Sequence, residues 1–131
     1  MTIRLLKLAV LYLVVGMTLG IVMGIRQDFT LRAVHAHINL LGWATLGVSA
    51  LVFHIFPDLA RTRLASLWFW IYNVSLPVAM LSLAVMLSGD LRAEPVVKVS
   101  NTFVWLAGVL FAANVFWHLR ERVGSVVQPS R

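Results

Sequence analysis

Four long apolar runs divide the chain, at about residues 5–25, 34–56, 64–87 and 99–117. Each is close to the roughly 20 apolar residues that carry a helix across a bilayer. Short polar links join them, reading IRQDFTLR, PDLARTR and SGDLRAEPVVK. Pro57 and Pro95 stand at segment edges, where a missing backbone N–H costs little. The pattern predicts an all-α membrane protein, one domain over residues 1–131, with four transmembrane helices in antiparallel order. The first run is too long for a signal h-region and lacks a clear small-residue cleavage site, so it is expected to span.

Within the runs, small and breaking residues add detail. Gly16, Gly20 and Gly24 recur every fourth residue in the first run, a stripe that invites close approach of a second helix in lipid. Pro77 removes a backbone donor from the third run and is expected to kink it near Asn73. Trp68, Trp70 and Tyr72, with Trp117 in the fourth run, fit interfacial aromatic anchors. The final GSVVQPSR reads as a frayed tail. There is no internal repeat, linker or low-complexity stretch.

Composition supports the same class. The chain is 60% hydrophobic and only 12% charged, with a mean hydropathy of +0.89. Soluble domains carry about a quarter charged residues, so this surface is built for lipid. The absence of cysteine rules out disulfides, thiolate metal sites, iron–sulfur clusters and covalent c-type haem. The net charge of +6 is spread over helix ends and forms no patch for nucleic acid. Arg4, Lys7, Arg61, Arg63, Arg120, Arg122 and Arg131 fall on one side of the membrane, and Arg26, Arg32, Arg92 and Lys98 on the other. The positive-inside rule then places both termini in the cytoplasm of a bacterial-type inner membrane.

Candidate chemistry is confined to histidine. No acidic residue lies inside any span, so acid–base pairs and carboxylate relays are excluded. Four histidines lie in or beside the apolar runs, where ionisable groups are costly and tend to be functional. His54 and His118 sit near the cytoplasmic ends, where an interfacial role competes with a second, inner site formed by the two at similar depth. His35 and His37 lie in HAHINLLGW, near the outer end of the second run. The stretch from His37 to His54 covers roughly 25 Å of helix, so inner and outer histidines serve different sites. An α-helix turns about 100° per residue, which sets His35 and His37 about 200° apart. They cannot chelate one ion, as an i, i+4 pair can, but one helix can offer a ligand to each of two sites. Asn39, four residues after His35, shares its flank, and Gly42 leaves room for a flat bulky group. Single histidines from several helices in an apolar setting point to haem b, with copper as the second choice.

Residues 32–57, RAVHAHINLLGWATLGVSALVFHIFP, resemble a haem-ligating helix of the haem–copper oxidase superfamily. His37-Ile38-Asn39-Leu40-Leu41 resembles the low-spin-haem helix of nitric oxide reductase catalytic subunits, and HAHxxxxGW resembles the NnrS family of haem- and copper-containing membrane proteins. The resemblance implies a histidine pair serving two haems from opposite faces. Oxidase subunit I has about twelve helices in three four-helix arcs, so it also implies that three copies of this chain could form a comparable ring. Each haem b would then be held by His35 of one chain and His37 of the next. The histidine cluster and tyrosine of the oxidase copper site have no counterpart, so an oxygen-reducing binuclear centre is not expected.

The expected protein is therefore a homotrimeric haem b protein for electron transfer or for binding nitric oxide or oxygen. His35 and His37 would be the metal ligands, with Asn39 and Gly42 completing the cofactor site. A quinol or other redox partner suits a site in lipid, although no quinol-binding constellation is visible. The competing readings are a haem- or copper-responsive protein without redox turnover, and a cofactor-free structural or assembly subunit.

Overall fold

The computed structural model describes the backbone of residues 1–126 and the side chains up to His118. Its helices are α1 (Thr2–Arg26), α2 (Arg32–Ile55), α3 (Arg63–Leu87) and α4 (Glu94–Val126). All four are long and apolar enough to cross a membrane. Their boundaries fall within a few residues of the apolar runs, except that α4 extends further at both ends. It continues through residues 124–126, where the sequence reads as tail, while residues 127–131 lie outside the described chain.

The links are short and locally determined. Gln27 adopts a left-handed conformation (φ 52°) that ends α1. Asp28 then accepts hydrogen bonds from the Thr30 amide (3.0 Å) and hydroxyl (2.6 Å), forming a turn. The Thr30 hydroxyl bond, ahead of the amide bond and the Arg26 charge, holds the Asp28 carboxyl below its usual range. This turn is therefore firmest above the ordinary carboxylate pKa and loosens as pH falls through the lowered value. Between α2 and α3 a single 3₁₀ turn, Leu59–Arg61, follows Pro57. Between α3 and α4, Gly89 takes φ 110°, a backbone conformation that favours glycine, before a second 3₁₀ turn, Leu91–Ala93.

Packing runs in chain order. Helix α1 lies along α2, and α3 lies along α4, as two tight hairpins. The hairpins meet through α2 and α3, while among the described residues α1 makes at most marginal contact with α3 or α4. The described residues thus form an open arc and not a closed ring of four. Its core combines Phe53 of α2, Trp68 and Tyr72 of α3 and Phe111 of α4. Phe53 and Trp68 meet edge to face at 5.6 Å, a favoured aromatic geometry. Trp68 and Tyr72 are 1% and 2% exposed, so they are core residues and not interfacial anchors. Among the aromatics expected at the interface, Trp70 and Trp117 remain exposed. The i, i+4 spacing of Trp68 and Tyr72 puts both on the buried face of α3, and this packing overrides their compositional preference.

Helix α3 continues unbroken through Pro77. Four residues earlier, the Asn73 amide donates to the Phe69 carbonyl at 2.7 Å, while its Oδ1 is buried without a partner among the described residues. At the other end of the helix a polar knot joins three elements. The Thr62 hydroxyl caps α3 by accepting from the Ala65 amide at 3.0 Å. It donates to Oδ1 of Asn114 at 2.8 Å, and the Asn114 amide donates to the Leu59 carbonyl at 3.1 Å. Asn114 is fully buried, so removing its side chain takes one hydrogen bond from the Thr62 hydroxyl and one from the Leu59 carbonyl, which keep their own 3.1 Å contact. Asn114→Ala is expected to cost about 1–3 kcal/mol, read as lowered thermal stability in detergent. Asn101→Ala, at an exposed position of the same helix, should change little.

Candidate functional site

Helix α2 is not α-helical throughout. Arg32–His37 and Leu46–Ile55 are α-helical, but Ile38–Thr45 forms a π-helix, in which hydrogen bonds close five residues along the chain. This explains a feature of its packing. Val34, Ile38, Gly42 and Leu46 are all buried at every-fourth positions. In a plain α-helix such a line would drift by about 40° per step; the wider turns keep it on one face. The sequence reading of HAHINLLGW as uniform α-helix holds for His35 and His37 and fails from Ile38 onward.

The flank of α2 that carries His35 and Asn39 faces the glycine stripe of α1. His35 lies over Gly20, where an added Cβ would come within 2.8 Å of the imidazole. Asn39 lies over Gly16, where a Cβ would come within 2.6 Å of the side-chain amide. Tyr12, one turn further along the stripe, fills the space at Gly42. The room that Gly42 offers is thus taken by the ring of a tyrosine of the same chain. At Gly24, by contrast, an added Cβ would meet no atom of the other helices within 4 Å among the described residues. Polar and large side chains from each helix therefore seat in glycine gaps of the other, along a contact only one stripe wide.

Hydrogen bonds fix the imidazoles. Nδ1 of His35 is 2.8 Å from the Gly16 carbonyl oxygen, and Nδ1 of His37 is 2.7 Å from that of Ala33. A carbonyl oxygen can only accept, so both contacts place the ring proton on Nδ1. Among the described residues, Nε2 of each ring has no hydrogen-bond partner. The Asn39 amide donates to the His35 carbonyl at 2.8 Å, bracing the turn that carries both rings. His35 is half-buried against α1, whereas His37 is exposed on the other flank. The structure therefore brings His35, Asn39 and Gly42 together on the α1 seam and points His37 elsewhere, as the opposed flanks require.

The remaining histidines are separate. His54 is exposed near the end of α2, and Nδ1 of His118 lies 3.0 Å from the Asn114 carbonyl of its own helix. Among the described residues, no three His, Cys, Asp or Glu side chains converge as a metal cluster. An apolar groove of about 670 Å³ runs between α3 and α4, lined by Trp70, Val74, Val78, Val99 and Phe103 among others, and includes no histidine.

Sequence reading misses Tyr12 and assigns Tyr72 to the interface instead of to the support of α2. Tyr12 was detectable, since it precedes Gly16 by four residues and so extends the stripe. Tyr72, whose hydroxyl donates to the Leu41 carbonyl at 2.9 Å, carries no local signal. Its role emerges only when α2 and α3 are packed.

The seam makes a sharp prediction about glycine. Gly16→Ala and Gly20→Ala should each force the helices apart and destabilise by about 1–3 kcal/mol, while Gly24→Ala should have little effect. Thermal unfolding of the three variants in one detergent decides this; equal stabilities for all three would refute the seam.

Comparison with curated proteins and with solved structures returned no match. The family described as "Protein of unknown function (DUF2871)" matches residues 2–115, most of the chain, and the protein belongs to that family.

Proposed function

We propose that this chain is a haem b-binding integral membrane protein that transfers electrons or binds a diatomic gas such as nitric oxide or oxygen. The supporting observation is the shared state of the two imidazoles. Each spends Nδ1 on a backbone carbonyl and leaves the Nε2 lone pair free. Metal-bound histidines have this arrangement, because the second-shell bond fixes ring tautomer and orientation and raises basicity. Haem would supply a one-electron couple or a gas-binding iron; the chain supplies the ligands and the apolar walls. Copper held by imidazole alone would need ligands from more than one chain, given the absence of a converging trio among the described residues.

Oligomerisation belongs to the same proposal. The opposed flanks of α2 give His35 to the α1 seam and His37 to a surface left uncovered within one chain. A homotrimer of open four-helix arcs would bring a neighbouring chain to that surface and build haem sites between subunits, as the oxidase resemblance implies. Such a ring uses head-to-tail contacts that close after three copies. The basic residues favour an inner membrane with both termini cytoplasmic, placing the pair nearer the outer face. A quinol or other redox partner would then exchange electrons with a site in lipid.

A cofactor-free structural subunit is the second reading. It is favoured by the way His35 and Asn39 seat over Gly20 and Gly16, a packing role that needs no ligand. The absorption spectrum of protein purified after expression with ample haem separates the two. A Soret band with sharp reduced α and β bands is expected, and its absence sinks the haem reading. His37→Ala, at an exposed position, should fold normally and lose haem or leave it five-coordinate. An unchanged spectrum would move the ligand elsewhere. Native mass should show three chains; a haem-bound monomer would refute the shared site.

A further inference from the structure

The π-helical stretch of α2 has side-chain supports from two helices. Within α2, the Thr45 hydroxyl donates to the Leu40 carbonyl at 2.9 Å, across five residues. From α3, the Tyr72 hydroxyl donates to the Leu41 carbonyl at 2.9 Å. The Leu46 amide, which lies five residues after Leu41, bonds instead to the carbonyl of Trp43. Tyr72 is 2% exposed, and its ring packs against Trp68 at 5.8 Å. The phenol is therefore held firmly, and it engages the backbone of the widened turns directly.

We propose that Tyr72 is a positioning residue that holds α2 in its π-helical form and so sets the direction in which His35 and His37 point. A π-turn accommodates one residue more than an α-turn. Relaxation of the stretch to α-helix would slip its register by about one residue and rotate the histidine end by about 100° against Leu46–Ile55. His35 would then leave the gap at Gly20, and its Nδ1 would lose the Gly16 carbonyl. The hydroxyl that maintains the ligand geometry thus comes from α3, a helix that carries no histidine. In this way the second hairpin controls a site built on the first. The assignment of a positioning role rests on the reading of the histidines as ligands, but the rotation itself does not.

The chain contains no cysteine, so single cysteines can be introduced and spin-labelled without background. Labels at Arg32, Ala33, Ala36, His37 and Leu40 report the rotation of the histidine end. Labels at Val48, Leu51 and Ile55 report the other end of α2. Oxygen accessibility in lipid vesicles is measured in the native background and with Tyr72→Phe, which removes the hydroxyl and keeps the ring. The expected result is a shift of about one residue in the accessibility pattern of the first set, about 100° in phase, with the second set unchanged. Thr45→Val, which removes the support within α2, should shift the same set in the same direction and keeps the test available should Tyr72→Phe fail to fold. Unchanged phase in both variants overturns the proposal. In haem-loaded protein, Tyr72→Phe should also shift the low-spin iron resonance by changing ring orientation. Failure to bind haem would sink the ligand reading and leave the accessibility result standing. An unchanged accessibility phase with normal haem binding would sink the role of Tyr72 alone.

Discussion

The contact between the His35 imidazole and the bare backbone of α1 organises the histidine end of the structure. In lipid, helices gain nothing from excluding water, so close packing and satisfied polar groups must hold them together. Gly20 allows the ring to approach, and the Gly16 carbonyl accepts its proton. Asn39 and Tyr12 extend the same pairing by one turn each. A histidine that would be costly if exposed to hydrocarbon is thereby half-buried and hydrogen-bonded without any ligand. The same bond fixes the tautomer and leaves Nε2 available.

The α3–α4 hairpin is built on other chemistry. Aromatic packing around Trp68 and Phe111 fills its centre, and the Asn114–Thr62 bonds tie its end to the turn after α2. The two hairpins are joined through the core around Phe53 and through the phenol of Tyr72. The first hairpin is thus glycine-lined and carries the histidine pair, while the second is aromatic and supports it.

Much of this was legible in the sequence. Hydropathy alone located four helices, because a span of lipid demands a long uninterrupted run whatever its neighbours are. The opposed directions of His35 and His37 followed from helix periodicity, since both precede the π-helical stretch. The glycine stripe announced a close contact but could not name its partner; a small residue marks the space and not the group that fills it. Trp68 and Tyr72 were misread because an aromatic near a helix end suits either an interface or a core, and only packing chooses. The π-helix itself was invisible, as its supports lie five residues away in one case and on another helix in the other.

The widened stretch in α2 has a consequence for comparing sequences. It acts as a single inserted residue between His37 and Leu46. Alignment of this helix with a purely α-helical counterpart therefore needs a one-residue gap in that interval. Without the gap, agreement at the histidines would pair core positions with lipid-facing ones further along. A search for distant kin should weigh the segments before and after it as two separate words, each with its own phase.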